Sequence, residues 1–159
     1  MGNLEQEVGD LLRRRGLTMG VVESATGGLI SHRLTNVPGS SDYYQGSITT
    51  YSNQVKIKLA GVNADTIKRY GAVSYQVAEE MARGGREALG VDVCLVDTGI
   101  AGPGGSTTEK TVGLFYLGLA DRKGSYSRQH NFHGDREQNK QSAAEAALGW
   151  FREYLISLK

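Results

Sequence analysis

Apolar positions along this chain alternate between helical spacing and short unbroken runs, and the alternation divides it into elements. Leu4, Val8, Leu11 and Leu12 share one helical face and Gly16 stops the pattern, which predicts an amphipathic first helix. T18-M19-G20-V21-V22-E23 reads as a short buried strand. L29-I30-S31-H32-R33-L34 reads as a helix that halts before Pro38. The segment from Tyr43 to Tyr51 is rich in aromatic and β-branched residues and reads as strand. Ser52 and Asn53 cap a short helix with Val55, Leu59 and Val62 on its apolar stripe, a periodicity that turns Lys56 toward solvent.

Asp65 to Tyr70 forms a short helical turn, and Ser74 caps a longer helix with Val77, Ala78, Met81, Ala82 and Leu89 facing inward. Gly84-Gly85 at its centre lowers helix propensity and suggests close packing. Val91 to Thr98 is the clearest central strand. Val112–Ala120 and Ser125–Phe132 pair as an antiparallel hairpin around D121-R122-K123-G124. Ala144, Ala147, Leu148, Phe151 and Leu155 mark a long C-terminal helix. Strands alternating with helices predict an α/β fold: a three-layer α/β/α sandwich with a mixed, mostly parallel central sheet, formed as one domain over residues 1–159.

Composition narrows the function classes. Glycine is over-represented, with 22 residues against 2 prolines, so tight turns and close backbone approaches are expected. The net charge of +1 lacks the basic footprint of a nucleic-acid module, and R13-R14-R15 reads as the end of the first helix. No apolar run reaches membrane-spanning length, and M1-G2-N3-L4-E5 shows no leader pattern. The single cysteine, Cys94, lies in an apolar run and reads as a buried structural thiol. A cytoplasmic protein without disulfides, nucleic-acid partner or membrane contact is expected.

Two stretches place hydroxyls and glycines where a buried strand ends, the usual position of ligands in such folds. In E23-S24-A25-T26-G27-G28 the hydroxyls either cap the next helix or act chemically; Ser24 as nucleophile beside turned backbone amides and a phosphate cradle are both open. T98-G99-I100-A101-G102-P103-G104-G105-S106 approaches a phosphate-loop pattern, but Gly105 stands where its lysine belongs, so an anion nest or an ordinary loop fits better. His32, His130 and His133 show no spacing that pairs them with a serine, and H130-N131-F132-H133 with Asp135 is a weak metal set; no metal and no cofactor are expected. Lysine remains as a base. Pattern does not choose between Lys56 and Lys58.

Taken together, E23-S24-A25-T26-G27-G28, Y51-S52-N53-Q54-V55-K56, G71-A72-V73-S74, T98-G99-I100-A101-G102-P103-G104-G105 and F132-H133-G134-D135-R136 resemble the CinA C-terminal domain family. The resemblance spans nearly the whole chain in five ordered blocks. Stand-alone members of that family include nicotinamide mononucleotide deamidases, so the resemblance implies hydrolysis of a nucleotide carboxamide to nicotinic acid mononucleotide and ammonia, in pyridine nucleotide salvage. Longer members carry an N-terminal domain similar to molybdopterin-binding proteins, for which this chain is expected to have no room.

By the same resemblance Ser24 is the nucleophile, Lys56 its base and Tyr51 a hydroxyl that relays or positions a proton. The amides of Thr26, Gly27 and Gly28 are expected to hold the oxyanion. Gly99 and Gly102 line the substrate, while Arg136 and Lys140, one turn apart, hold the 5′-phosphate. Lys140 stands where the family usually has arginine, Thr111 where proline is common, and Asp97 where a small residue is usual. The implied partner is a small-molecule nucleotide, in a homo-oligomer. The alternatives are a non-catalytic nucleotide-binding or regulatory module, and a role with DNA or a competence partner that the near-neutral charge disfavours.

Overall fold

A computed structural model describes residues 3–159; Met1 and Gly2, which open the stretch read for a leader, lie outside the described residues. The elements run in the order α1 (Leu4–Arg15), β1 (Met19–Glu23), α2 (Leu29–Thr35), a 3₁₀ turn (Ser40–Asp42), β2 (Tyr44–Thr49), α3 (Asn53–Ala60), α4 (Ala64–Tyr70), α5 (Tyr75–Leu89), β3 (Val93–Gly99), β4 (Leu114–Asp121), β5 (Gly124–Asn131) and α6 (Arg136–Ser157). Polar side chains start most of the helices. Asn3, Ser52, Asn63, Ser74 and Asp135 each accept a backbone N–H of the first turn, and Asp135 with Gln138 completes a reciprocal capping box at the head of α6.

The strands form one sheet in the order β2-β1-β3-β4-β5. β1 runs parallel to β2 and β3, whereas β4 is antiparallel to both β3 and β5, so the sheet is mixed and mostly parallel. The antiparallel strand is a consequence of its connection. β4 and β5 are joined by a tight turn that Asp121 stabilises by accepting the Lys123 and Gly124 amides.

Alternation along the strands supplies two cores. Val21, Leu95, Leu117 and Leu119 point to the face covered by α1, α2 and α6, together with Val8, Leu12, Ile30, Leu148 and Phe151. Val22, Cys94 and Val96 point to the opposite face, against Val77, Met81 and Ala82 of α5. This three-layer α/β/α arrangement is the one expected from the sequence. Burial pushes the Cys94 thiol up to about 12, which leaves it unreactive. Among the described residues no helix is long and apolar enough to cross a membrane.

A close approach between two helices sets the position of α3. A Cβ on Gly84 would fall 1.7 Å from the Ala60 carbonyl oxygen, so only glycine lets the end of α3 rest on α5. The apolar stripe expected on α3 is its buried face only in part: Val62, just past the helix, is buried and Val55 half-buried. Leu59 is 46% exposed, whereas Lys56 is 2% exposed and Ala60 fully buried. In a helix of eight residues the inner face is set by what its neighbours offer, and here they offer backbone carbonyls to an amine.

Candidate active site

β1 ends at Glu23, and the chain must turn away from the sheet before α2 begins. Gly27 and Gly28, with φ of 61° and 105°, make that turn in a region of backbone space that favours glycine. Capping is not the work of the hydroxyls: Gly28 occupies the N-cap of α2 without a side-chain bond. The Glu23 carboxylate, buried beneath the turn, accepts the amides of Gly28, Ile30 and Ser31 and the Ser31 hydroxyl. No local pattern in the sequence assigns Glu23 a role. It substitutes for the missing cap, and Ser24 is left free for another partner.

That partner is Lys56. Its Nζ lies 2.9 Å from Ser24 Oγ, 2.8 Å from the Thr50 carbonyl and 3.3 Å from the Tyr51 carbonyl. Burial holds the Lys56 amine below the usual lysine range, while nearby Asp97 pulls the other way. A neutral amine has two hydrogens and one lone pair. With the hydrogens on the two carbonyls, the lone pair faces the serine hydroxyl, which is the geometry of a base and its nucleophile. Ser24 itself is 6% exposed, so attack would proceed from a nearly dry position.

Asp97, at the end of β3, is fully buried under the same turn. Its Oδ1 accepts the Ser24 amide at 3.0 Å and its Oδ2 the Thr26 amide at 3.1 Å. The carboxylate therefore sits beneath the turn that carries Ser24, rather than altering the charge of an open pocket.

Other expected residues gather at this end of the sheet with altered tasks. Thr26, Gly27 and Gly28 were expected to present amides to an oxyanion. Their N–H groups are already given to Asp97, the Ser24 carbonyl and Glu23, so this role is corrected. Among the described residues the Ala25 amide, directly after Ser24, makes no hydrogen bond. The Tyr51 hydroxyl does not reach the serine–lysine pair: its side chain is 62% exposed and accepts from Arg136 at 3.0 Å. What Tyr51 offers Lys56 is its backbone carbonyl.

Arg136, at the head of α6, also donates to the Gly102 carbonyl at 2.6 Å. Lys140, one turn further, brings its Nζ over the Gly27 backbone. A groove of about 350 Å³ opens beside Lys140, lined by Thr26, Gly28, His32, Glu137, Lys140 and Gln141, among others; Ser24, Lys56 and Arg136 do not border it. Gly99 and Gly102 were expected to line the substrate, but neither borders the groove; Gly102 gives its carbonyl to Arg136. A Cβ on Gly99 would meet the Phe115 ring at 2.2 Å, so Gly99 serves packing. Buried Asn139, which had no sequence signal beyond its place after the capping box, ties the Ala101 carbonyl to the Gly134 amide.

A larger hollow of about 1120 Å³ lies by the β4–β5 turn, against Arg86, Asp121, Tyr126, Trp150 and Tyr154. None of the site residues lines it, and volume alone does not make chemistry. Among the described residues no three His, Cys, Asp or Glu side chains are grouped to hold a metal.

Comparison with known proteins gives the family and the fold. A CinA-like protein of Salinibacter ruber is 52% identical over 145 residues, covering 91% of this chain and 35% of that protein. A CinA-like protein of Chlorobaculum tepidum is 49% identical over 161 residues, covering 98% of this chain and 37% of its own length. The chain thus spans little more than a third of these relatives. Among solved structures, the competence damage-inducible protein A of Klebsiella pneumoniae superposes with a TM-score of 0.95 at 28% identity, over 98% of this chain and 97% of that one. The competence/damage inducible protein CihA of Agrobacterium tumefaciens gives 0.87 at 32% identity, over 99% and 100%. The model of the CinA C-terminal domain matches residues 1–155, and the chain belongs to that family.

Proposed function

We propose that this chain is a serine amidohydrolase that removes ammonia from the carboxamide of nicotinamide mononucleotide. The observation that carries the reading is the 2.9 Å contact between Ser24 Oγ and a buried lysine whose other bonds go to main-chain carbonyls. Ser24 Oγ attacks the amide carbon as Lys56 takes its proton. Lys56 then returns that proton to the departing nitrogen, ammonia leaves and an acyl-serine remains. Water attacks the acyl carbon with Lys56 again as base, releasing nicotinic acid mononucleotide and restoring Ser24. Atoms balance with water as the only co-reactant.

The Ala25 amide is the donor for the oxyanion, since it comes directly after the nucleophile and is not spent on the protein. Lys140, above the glycine turn and beside the groove, supplies the charge for the 5′-phosphate. Arg136, which holds the Gly102 carbonyl one turn before Lys140 on the same helix, is the second cation for that phosphate. Wild type and Ser24→Ala, assayed for ammonia release from nicotinamide mononucleotide, test the reading. The serine variant is expected to lose at least about 1,000-fold in kcat/KM with its fold unchanged. Nucleotide binding by the wild type without ammonia release would replace the amidase by a binding module.

A further inference from the structure

The Thr26 hydroxyl lies 2.6 Å from Glu23 Oε1 and 2.5 Å from Asp97 Oδ1, and all three groups are buried. A hydroxyl has one hydrogen and can donate to only one of them. With both carboxylates ionised, the other contact would set lone pair against lone pair in dry surroundings. One additional proton on the pair removes the conflict. Glu23 already receives the amides of Gly28, Ile30 and Ser31 and the Ser31 hydroxyl, whereas Asp97 receives the Ser24 and Thr26 amides. The better-supplied carboxylate keeps the charge.

We propose that Asp97 is a positioning residue held as the neutral acid: its Oδ1–H donates to Thr26 Oγ1, which donates to Glu23 Oε1, while its oxygens fix the Ser24 and Thr26 amides. The relay locks the turn that carries Ser24 without placing a second anion under it. The charged groups that face Asp97 are Glu23 from β1 and Lys56 from α3; from α6, Lys140 lies on the outer side of Gly27. Leu117, its partner on β4, is uncharged. Burial, with Glu23 adding to it, pushes Asp97 up to about 6 even with the Thr26 hydroxyl bonded to it. Turning that hydroxyl to Glu23 withdraws its support for the anion and holds the proton to higher pH still. A neutral Asp97 also leaves Lys56 without a counter-ion, which favours the free amine that a base must be. This last consequence rests on the amidase reading; the place of the proton does not.

The proton is read directly by carbon NMR of the full chain labelled at aspartate carboxyl carbons, with Asp97 assigned through its own backbone correlations so that no variant is required. The Asp97 carboxyl is expected to stay at the shift of a protonated acid past pH 6, after the exposed aspartates have ionised. Titration together with the exposed aspartates would overturn the proposal, whether or not ammonia is released. The active protein allows a kinetic test as well. Asn at this position cannot both accept the Ser24 amide and donate to Thr26 from one atom, so Asp97→Asn is expected to lower kcat about tenfold with KM within twofold. The acid limb of its pH profile should stay in place, because neither side chain is charged. A limb displaced to lower pH would mean that an anion next to Lys56 had been removed, and would overturn the proposal.

Discussion

Two glycine-rich turns leave the carboxyl ends of neighbouring strands, and they are built in opposite ways. The turn after β1 spends its amides inward: those of Ser24 and Thr26 on Asp97, that of Gly27 on the Ser24 carbonyl and that of Gly28 on Glu23. The turn after β3 is anchored by its carbonyls, Ala101 to Asn139 and Gly102 to Arg136, both from α6. One turn is supported from below by two buried carboxyl groups and holds a hydroxyl against an amine. The other hangs from a helix by its carbonyls. Stretches that look alike as sequence can thus differ in which half of the peptide group is fixed, and that half decides what is free for a ligand.

Replacing one partner at a time should separate the two turns. Lys56→Met removes the amine and keeps most of the volume, and on the amidase proposal is expected to lower kcat/KM for ammonia release by about 1,000-fold, within the range for general-base loss. Near wild-type turnover in that variant, with loss in Lys58→Met, would transfer the base to the other lysine. Asn139→Ala attacks only the second turn. It leaves the Gly134 amide and Ala101 carbonyl without partners, so urea denaturation should show a loss of about 2 kcal/mol. Its remaining folded fraction should still hold Ser24 and Lys56 together.

Arg136→Ala should raise KM for the nucleotide about tenfold and leave plain nicotinamide nearly unaffected, as expected for one charge-assisted contact. Equal loss on both substrates would mean that Arg136 acts by holding Gly102 and Tyr51 alone. The smallest effect is in pH dependence. Because burial lowers Lys56, its protonation is disfavoured in the fold, and its contribution to stability is lost as pH falls from about 10.4 toward its folded value. Activity tracks the same group: kcat/KM should rise with pH and level off once Lys56 is neutral, with the midpoint below the ordinary lysine range. Lys56→Met should flatten the stability curve over that window, as read by thermal melts at several pH values.

The architecture was readable because its elements are long and periodic. α1, α5 and α6 repeat their apolar positions over several turns, and the β4–β5 hairpin announces itself through D121-R122-K123-G124. α3 was readable as a helix but not in its facing. Eight residues hold too few turns for periodicity to prevail over the neighbours, so Lys56 went in and Leu59 out. Among the site residues, Ser24 and Lys56 are brought together as the family resemblance implied. The oxyanion role given to Thr26–Gly28 fails because the acceptors that consume those amides include Glu23 and Asp97, which lie on two different strands.

By itself, then, the sequence determined the order of strands and helices, the caps, the glycine turns and the hydroxyl at the end of β1, since each depends on residues within a few positions of one another. The tertiary structure decided the rest: that Lys56 is buried on Ser24, that Glu23 replaces a cap, and that Asp97 lies beneath the turn that carries Ser24. These relations join positions 23, 24, 56 and 97, and no local preference links them. Parallel strands separated by helical crossovers bring such distant residues to the carboxyl end of the sheet, and hydrogen-bond needs in a dry interior then choose which of them meet.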